Sequence, residues 1–153
     1  MLSIIDVFDR VIVDYYRGPV CEAKHACQTL RRAVEKRIKP GEALPVIRSD
    51  NGPQYVSVLF GDTCEHLGME HERIPPRTPN MNAHIESFHS LLERHVFSIT
   101  EFDTFEMAYE AVDRYMDFYN NRRMHGSLKR MPPVKFSEWV MQLPDRSSYY
   151  KAM

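Results

Sequence analysis

No excess of charge of either sign marks this 153-residue chain, which carries 20 Lys or Arg against 21 Asp or Glu. Overall charge therefore gives no support for a nucleic-acid partner. Cysteine is also scarce: Cys21, Cys27 and Cys64 form an odd set without Cys-x-x-Cys spacing, which argues against a disulfide framework and for reduced thiols in a cytoplasmic protein. Cys21, His25 and Cys27 do not share one face of a helix, so they are not read as metal ligands. No apolar run approaches the length of a membrane span, and no basic segment followed by an apolar one opens the chain. A soluble, unexported protein without a membrane partner is expected. Internal repeats and low-complexity tracts are absent too. What remains is an ordinary globular composition, 43% hydrophobic, suited to one domain that buries roughly 70% of its unfolded surface.

The distribution of charge says more than its sum. Residues 1–118 carry 13 Lys or Arg and 19 Asp or Glu, whereas residues 119–153 carry 7 against 2. The basic surface is thus expected at the C-terminal end.

Hydrophobic patterning supplies the elements. Residues 2–8 and 11–16 read as a β-hairpin closed by Asp9-Arg10. Ala23, Cys27, Leu30, Val34 and Ile38 mark an amphipathic helix within residues 20–38. A short buried strand over residues 44–48 delivers Ser49-Asp50, and Pro53 suits the first turn of a helix reaching Leu67. Met69 to Ile74 reads as another strand, ahead of a proline-rich segment at residues 75–79. A helix capped by Asn80 or Asn82 runs to about Phe97 and buries Ile85, Phe88 and Leu92. A further helix presents Phe105, Ala108, Tyr109, Val112, Tyr115, Met116 and Tyr119 on one face. Residues 120–133 form a basic loop, and residues 134–143 a terminal helix. Strands with interleaved helices predict an α/β layer built on a mixed sheet. That sheet is narrow for four or more helices.

Two acids stand out, Asp50 in Ser49-Asp50-Asn51-Gly52 and Glu86 in Asn82-Ala83-His84-Ile85-Glu86, with 35 residues between them. The end of a strand, where Asp50 falls, is where open α/β sheets place their chemistry. A carboxylate near a scissile phosphodiester is useful chiefly through a metal ion, and Mg²⁺ suits all-oxygen ligands. Each acid also has a plain reading: Asp50 as a turn residue bonding its own backbone, Glu86 as a solvated partner of the helix dipole.

Three stretches resemble the catalytic core of the retroviral-integrase and insertion-sequence transposase superfamily, particularly transposases of the IS3 type. Residues 5–13 resemble its second and third strands. Residues 48–55 resemble the second catalytic aspartate with its flank, and residues 79–93 the helix bearing the catalytic glutamate. Tyr119-Asn120-Asn121-Arg122-Arg123-Met124-His125-Gly126-Ser127-Leu128, followed by Pro132-Pro133, resembles its C-terminal signature.

The resemblance implies a ribonuclease-H-like mixed sheet flanked by helices, and a metal-dependent DNA cleaving and joining activity with Mg²⁺ or Mn²⁺. It implies catalytic, metal-binding roles for Asp50 and Glu86 as second and third acids. The first acid belongs to the family's first, central strand, for which no residue here is a match, so the chain is expected to be a core truncated at its N-terminus. Such a fragment would bind metal weakly or not at all, be inactive alone, and self-associate or pair with full-length transposase through its exposed sheet edge. Residues 1–143 then form the partial core, with its basic segment at 120–143, and 144–153 a tail. DNA, as transposon ends and target, is the expected partner. Asn51, Gln54, Asn82 and His84 are candidates for positioning it or metal-bound water, and Arg122, Arg123, His125, Lys129 and Arg130 for contacting its phosphates. Helix N-termini near Pro53 and Asn82 would offer N–H groups to phosphate. Alternatives are a non-catalytic module that binds DNA or transposase, and a minimal nuclease recruiting Asp6 as substitute acid.

Overall fold

The computed structural model describes residues 1–75, 78–146 and 149. Its elements in chain order are β1 (Leu2–Ile5), β2 (Ile12–Tyr16), α1 (Ala23–Arg37), β3 (Ile47–Ser49), α2 (Val58–Leu67), β4 (His71–Arg73), α3 (Ala83–Leu92), α4 (Phe105–Asn121) and α5 (Pro133–Met141). A 3₁₀ turn, Pro79–Asn82, leads into α3, and a π-helical turn, Glu93–Phe97, follows it. Among the described residues no helix is long and apolar enough to cross a membrane.

The chain divides into two compact units, one of residues 1–4 and 13–86, the other of 5–12 and 87–153. The first collects the sheet elements. β1 and β2 pair as a hairpin, and β3 pairs with β4 in parallel, Ile47 opposite His71 and Ser49 opposite Arg73. Parallel pairing needs a crossover, which α2 supplies. Among the described residues the strands thus form two two-stranded sheets.

The apolar stripe of α1 explains the core of this unit. Ala26, Cys27 and Leu30 pack with Leu2, Phe60, Cys64 and Met69, and Ile4, Tyr16, Val34 and Ile47 close around them. α2 is shorter than its sequence suggests. Ser57 accepts the Phe60 N–H and caps it, so Pro53 lies in the preceding turn and offers no helix N-terminus. Strand β3 is short as well. Leu44 and Val46, expected inside a buried strand, are exposed, and pairing begins at Ile47.

In the second unit Phe88 is fully buried, with Tyr119 edge-on at 4.9 Å and Tyr115 at 6.5 Å. Val112, Tyr115, Met116 and Tyr119 form the buried face of α4. Leu128, Phe136 and Val140 gather Phe8, Met131 and Trp139 into a second cluster. Asn120 ties α4 to Ile12 of the same unit: its side chain accepts the Ile12 N–H at 2.9 Å and donates to the Ile12 carbonyl at 3.0 Å. That is the exchange a neighbouring strand would make, performed by one amide.

Candidate functional site

Asp50 follows directly on β3, and its surroundings are built by β4. The Ser49 carbonyl accepts the Ile74 N–H at 2.9 Å, and the Asn51 amide donates to the Ile74 carbonyl at 2.9 Å. The Ser49 main chain and the Asn51 side chain, one on each side of Asp50, are therefore both pinned to Ile74. The Asp50 carboxylate accepts the Gly52 N–H through Oδ1 at 2.8 Å, as expected of an Asx turn, which leaves its other oxygen for a ligand. The residue is exposed. Tyr55 stands close enough for burial, and then the charge of Asp50, to push its hydroxyl pKa above the usual tyrosine value.

Glu86 lies in the first turn of α3, exposed, while Phe88 and Leu92 face inward. His84 is exposed on the same turn, and Asn82 ends the 3₁₀ turn just before it. Asp50, Asn51, Gln54, Asn82, His84 and Glu86 all fall in the first unit. Asn51 is committed to Ile74, so its amide stabilises the loop carrying Asp50. Asn80, the other proposed helix cap, lies in that 3₁₀ turn.

The other acids of the N-terminal hairpin have different work. Asp6 accepts the Phe8 N–H at 2.9 Å, and the fully buried Asp9 accepts the Val11 N–H at 3.0 Å. Asp14, its side chain 5% exposed, pairs with Arg32 at 2.8 Å and with Lys36 at 2.6 Å. Among the described residues no group of three or more His, Cys, Asp or Glu side chains stands ready to hold one ion. The oxygen donors present suit Mg²⁺ or Mn²⁺ in kind. In number they do not suit two ions about 4 Å apart, which several carboxylates must share.

The basic loop is less uniformly available than its composition suggests. Arg122 pairs with Asp117 at 2.6 Å and lies over Phe118. Arg123 lies over Tyr119, with its Nη1 about 3.1–3.2 Å from the two ring nitrogens of His125. Lys129 spreads over Trp139 and Tyr149. Cations above aromatic faces are held by the ring quadrupole. The loop itself closes through the His125–Met131 bridge, with Lys129 and Arg130 both at positive φ. These residues belong to the second unit.

His125 is the most perturbed group here. Burial, then the guanidiniums of Arg123 and Arg10, pull its pKa from 6.5 down to about 4. Tyr119, against which His125 packs edge-on at 4.9 Å, is pushed up to about 12, chiefly by burial. The unfolded chain therefore binds more protons than the folded one between roughly pH 4 and 6.5, and stability is lost as pH falls through that window. A shift of this size corresponds to about 3 kcal/mol, which the imidazole's partial exposure reduces to ~1–2 kcal/mol. Urea denaturation at pH 7 and pH 4.5 should show that loss in the wild-type chain, and a His125→Phe variant should show less of it.

The integrase core domain matches over residues 1–79, and a second integrase core domain description over residues 67–133. The chain belongs to the integrase core domain family. The insertion element IS476 protein of Xanthomonas euvesicatoria is 29% identical over 136 residues, which are 89% of this chain and 38% of that protein. The transposase of insertion sequence IS904 from Lactococcus lactis is also 29% identical, over 88% of this chain and 53% of its own length. The chain thus spans about half, or less, of the length of these two relatives. Among solved structures, a chain of the simian T-cell lymphotropic virus intasome bound to the PP2A regulatory subunit B56 gamma superposes with a TM-score of 0.68 at 17% identity, covering 86% of this chain and 45% of that one. The catalytic core domain of BIV integrase gives 0.56 at 18% identity, over 82% and 79%. These likenesses establish the integrase-core, ribonuclease-H-like fold.

Sequence reading gave no role to His71, which the structure places against Ser49. The position of a histidine in a short strand carried no signal by itself. Only the pairing of β3 with β4 brings it to the Ser49 hydroxyl, next to Asp50 in the chain.

Proposed function

We propose that this chain serves DNA transposition as part of a metal-dependent strand-transfer core, to which it supplies the second and third acids, Asp50 and Glu86. The observation that carries this reading is Asp50 at the end of a strand, its neighbours Ser49 and Asn51 both bonded to Ile74, in an integrase-core-domain chain whose Glu86 lies in the first turn of α3. A divalent ion bound there would activate an attacking oxygen and stabilise the departing one. Asp50 and Glu86 hold that ion, Gln54, Asn82 and His84 border the DNA, and the basic loop contacts phosphates. Asp6 and Asp9 bond their own turns and Asp14 pairs with Arg32 and Lys36, so none of them is assigned as the first acid. The chain by itself is inactive.

In the basic loop, Arg130 is exposed and takes part in no ion pair with the described residues, and Arg122 is paired only at the surface. Replacing both with alanine should weaken binding to duplex DNA regardless of sequence and reduce the slope of log K against log salt by about 1–2. An unchanged slope removes the loop from the interface.

The lack of a three-acid cluster favours a second reading, a module that binds DNA or a full-length transposase without chemistry. Supercoiled plasmid incubated with the chain and Mg²⁺ separates the two from a self-sufficient nuclease. Both expect intact plasmid, and nicking abolished by Asp50→Asn would contradict both.

A further inference from the structure

Ser49 ends β3 with its side chain turned inward and only 6% of its surface exposed. Its hydroxyl lies 2.9 Å from the Asp50 carbonyl and 2.8 Å from His71 Nε2. The carbonyl can only accept, so the single hydroxyl proton goes there. The Ser49 oxygen must then accept from His71, which fixes the proton of the imidazole on Nε2. His71 is held from its other side: its ring meets Phe60 edge-on at 5.0 Å, and Phe60 is among the most deeply buried side chains. Rigid core, imidazole, hydroxyl and the Asp50 carbonyl therefore form one continuous chain of contacts.

We propose that His71 and Ser49 are positioning residues for Asp50, orienting through its carbonyl the peptide that carries the metal-binding carboxylate. An apolar pair at these two strand positions would cost less desolvation. The polar pair gains what an apolar one cannot, a hydrogen bond to the residue that must be aimed. Burial, with Arg73 nearby, keeps the His71 pKa below its ordinary value. The bonds from Ile74 to Ser49 and Asn51 locate the loop, and the Ser49 hydroxyl sets the rotation of the one peptide between them. Side chains behind a metal ligand commonly change metal affinity by 10–100-fold when removed. The proposal rests on the assignment of Asp50 as a metal ligand.

Its test uses the full chain, with His71→Phe, His71→Gln and Ser49→Ala, and two readouts. One is amide exchange of the Gly52 N–H, which the Asp50 carboxylate accepts, measured by NMR against the amide of buried Leu30 in the middle of α1 as a monitor of the fold. The other is Mn²⁺ affinity by electron paramagnetic resonance. His71→Phe should raise Gly52 exchange about tenfold with Leu30 unchanged, and weaken Mn²⁺ at least tenfold. His71→Gln, whose amide can donate from near the Nε2 position, should stay within about twofold of wild type. Ser49→Ala should match His71→Phe, and the double variant should be no worse, since one chain of contacts is broken only once. Gly52 exchange at the wild-type rate in His71→Phe overturns the proposal. So does a glutamine variant as impaired as phenylalanine, or exchange rising equally at Gly52 and Leu30. If the wild type binds no Mn²⁺ the metal assignment fails, and the exchange arm alone decides whether His71 positions Asp50.

Discussion

Asp50→Asn reduces Mn²⁺ affinity by at least tenfold, Glu86→Gln does the same, and neither shifts the melting temperature by more than a degree or two. The expectation follows from exposure. Both acids are at the surface, so neither removes packing, and substitutions of that kind change stability by about 0.5 kcal/mol or less. Asparagine keeps an oxygen for the Gly52 N–H, so the Asx turn survives. Only the charge that a hard divalent ion requires is lost. If the two carboxylates share one ion, the double variant should bind no more weakly than the background of an acidic surface. Isothermal titration of Mn²⁺ into the three variants reads this directly. Affinity unchanged in Glu86→Gln would return that residue to its plain role at the N-terminus of α3.

Phe88→Ala costs about 3–5 kcal/mol, the range for deleting a fully buried aromatic ring. Phe88 is 0% exposed and packs edge-on against Tyr119 and tilted against Tyr115, which with Val112 and Met116 form the buried face of α4. Removal leaves a cavity bounded by two large rings whose hydroxyls prevent them from simply collapsing inward. Small domains have only about 5–15 kcal/mol of stability in total. Chemical denaturation should therefore show a much lower midpoint, with the transition that reports α4 moving most. Phe88→Leu, which keeps most of the volume, should recover about half of the loss. A midpoint within 1 kcal/mol of wild type for the alanine variant would mean that α3 is not anchored as the structure has it.

The order of these two effects mirrors what could be read from residues alone. Periodicity located α1, α3 and α4 within a few residues, because an amphipathic helix writes its buried face into the sequence: Ala26, Cys27 and Leu30 in one case, Phe88 and Leu92 in another. The positions of Asp50 after β3 and Glu86 in the first turn of α3 followed from the same signals. Strand ends were less legible. Leu44 and Val46 look like core and are exposed, since a strand of three residues is set by its neighbour β4 and not by its own composition. The start of α2 also moved, because the Ser57 cap competes with a proline that suits a turn equally well.

The basic C-terminal segment was harder still. Five residues read there as one phosphate-contacting set, and their side chains divide among different partners: Arg122 with Asp117, Arg123 with His125 and Tyr119, Lys129 with Trp139 and Tyr149. Sequence records that a residue is cationic, whereas its availability depends on aromatic faces brought near by folding. The same holds for Asn120, which looks like part of a polar run and instead bonds the Ile12 backbone across 108 positions of chain.

The central claim is that this chain carries two carboxylates of a metal site and lacks a third. Counting Mn²⁺ bound to the wild-type chain tests it most directly. One weakly held ion per chain, released when both Asp50 and Glu86 are replaced, is the predicted result. Two tightly held ions, or binding that survives the double replacement, would contradict it.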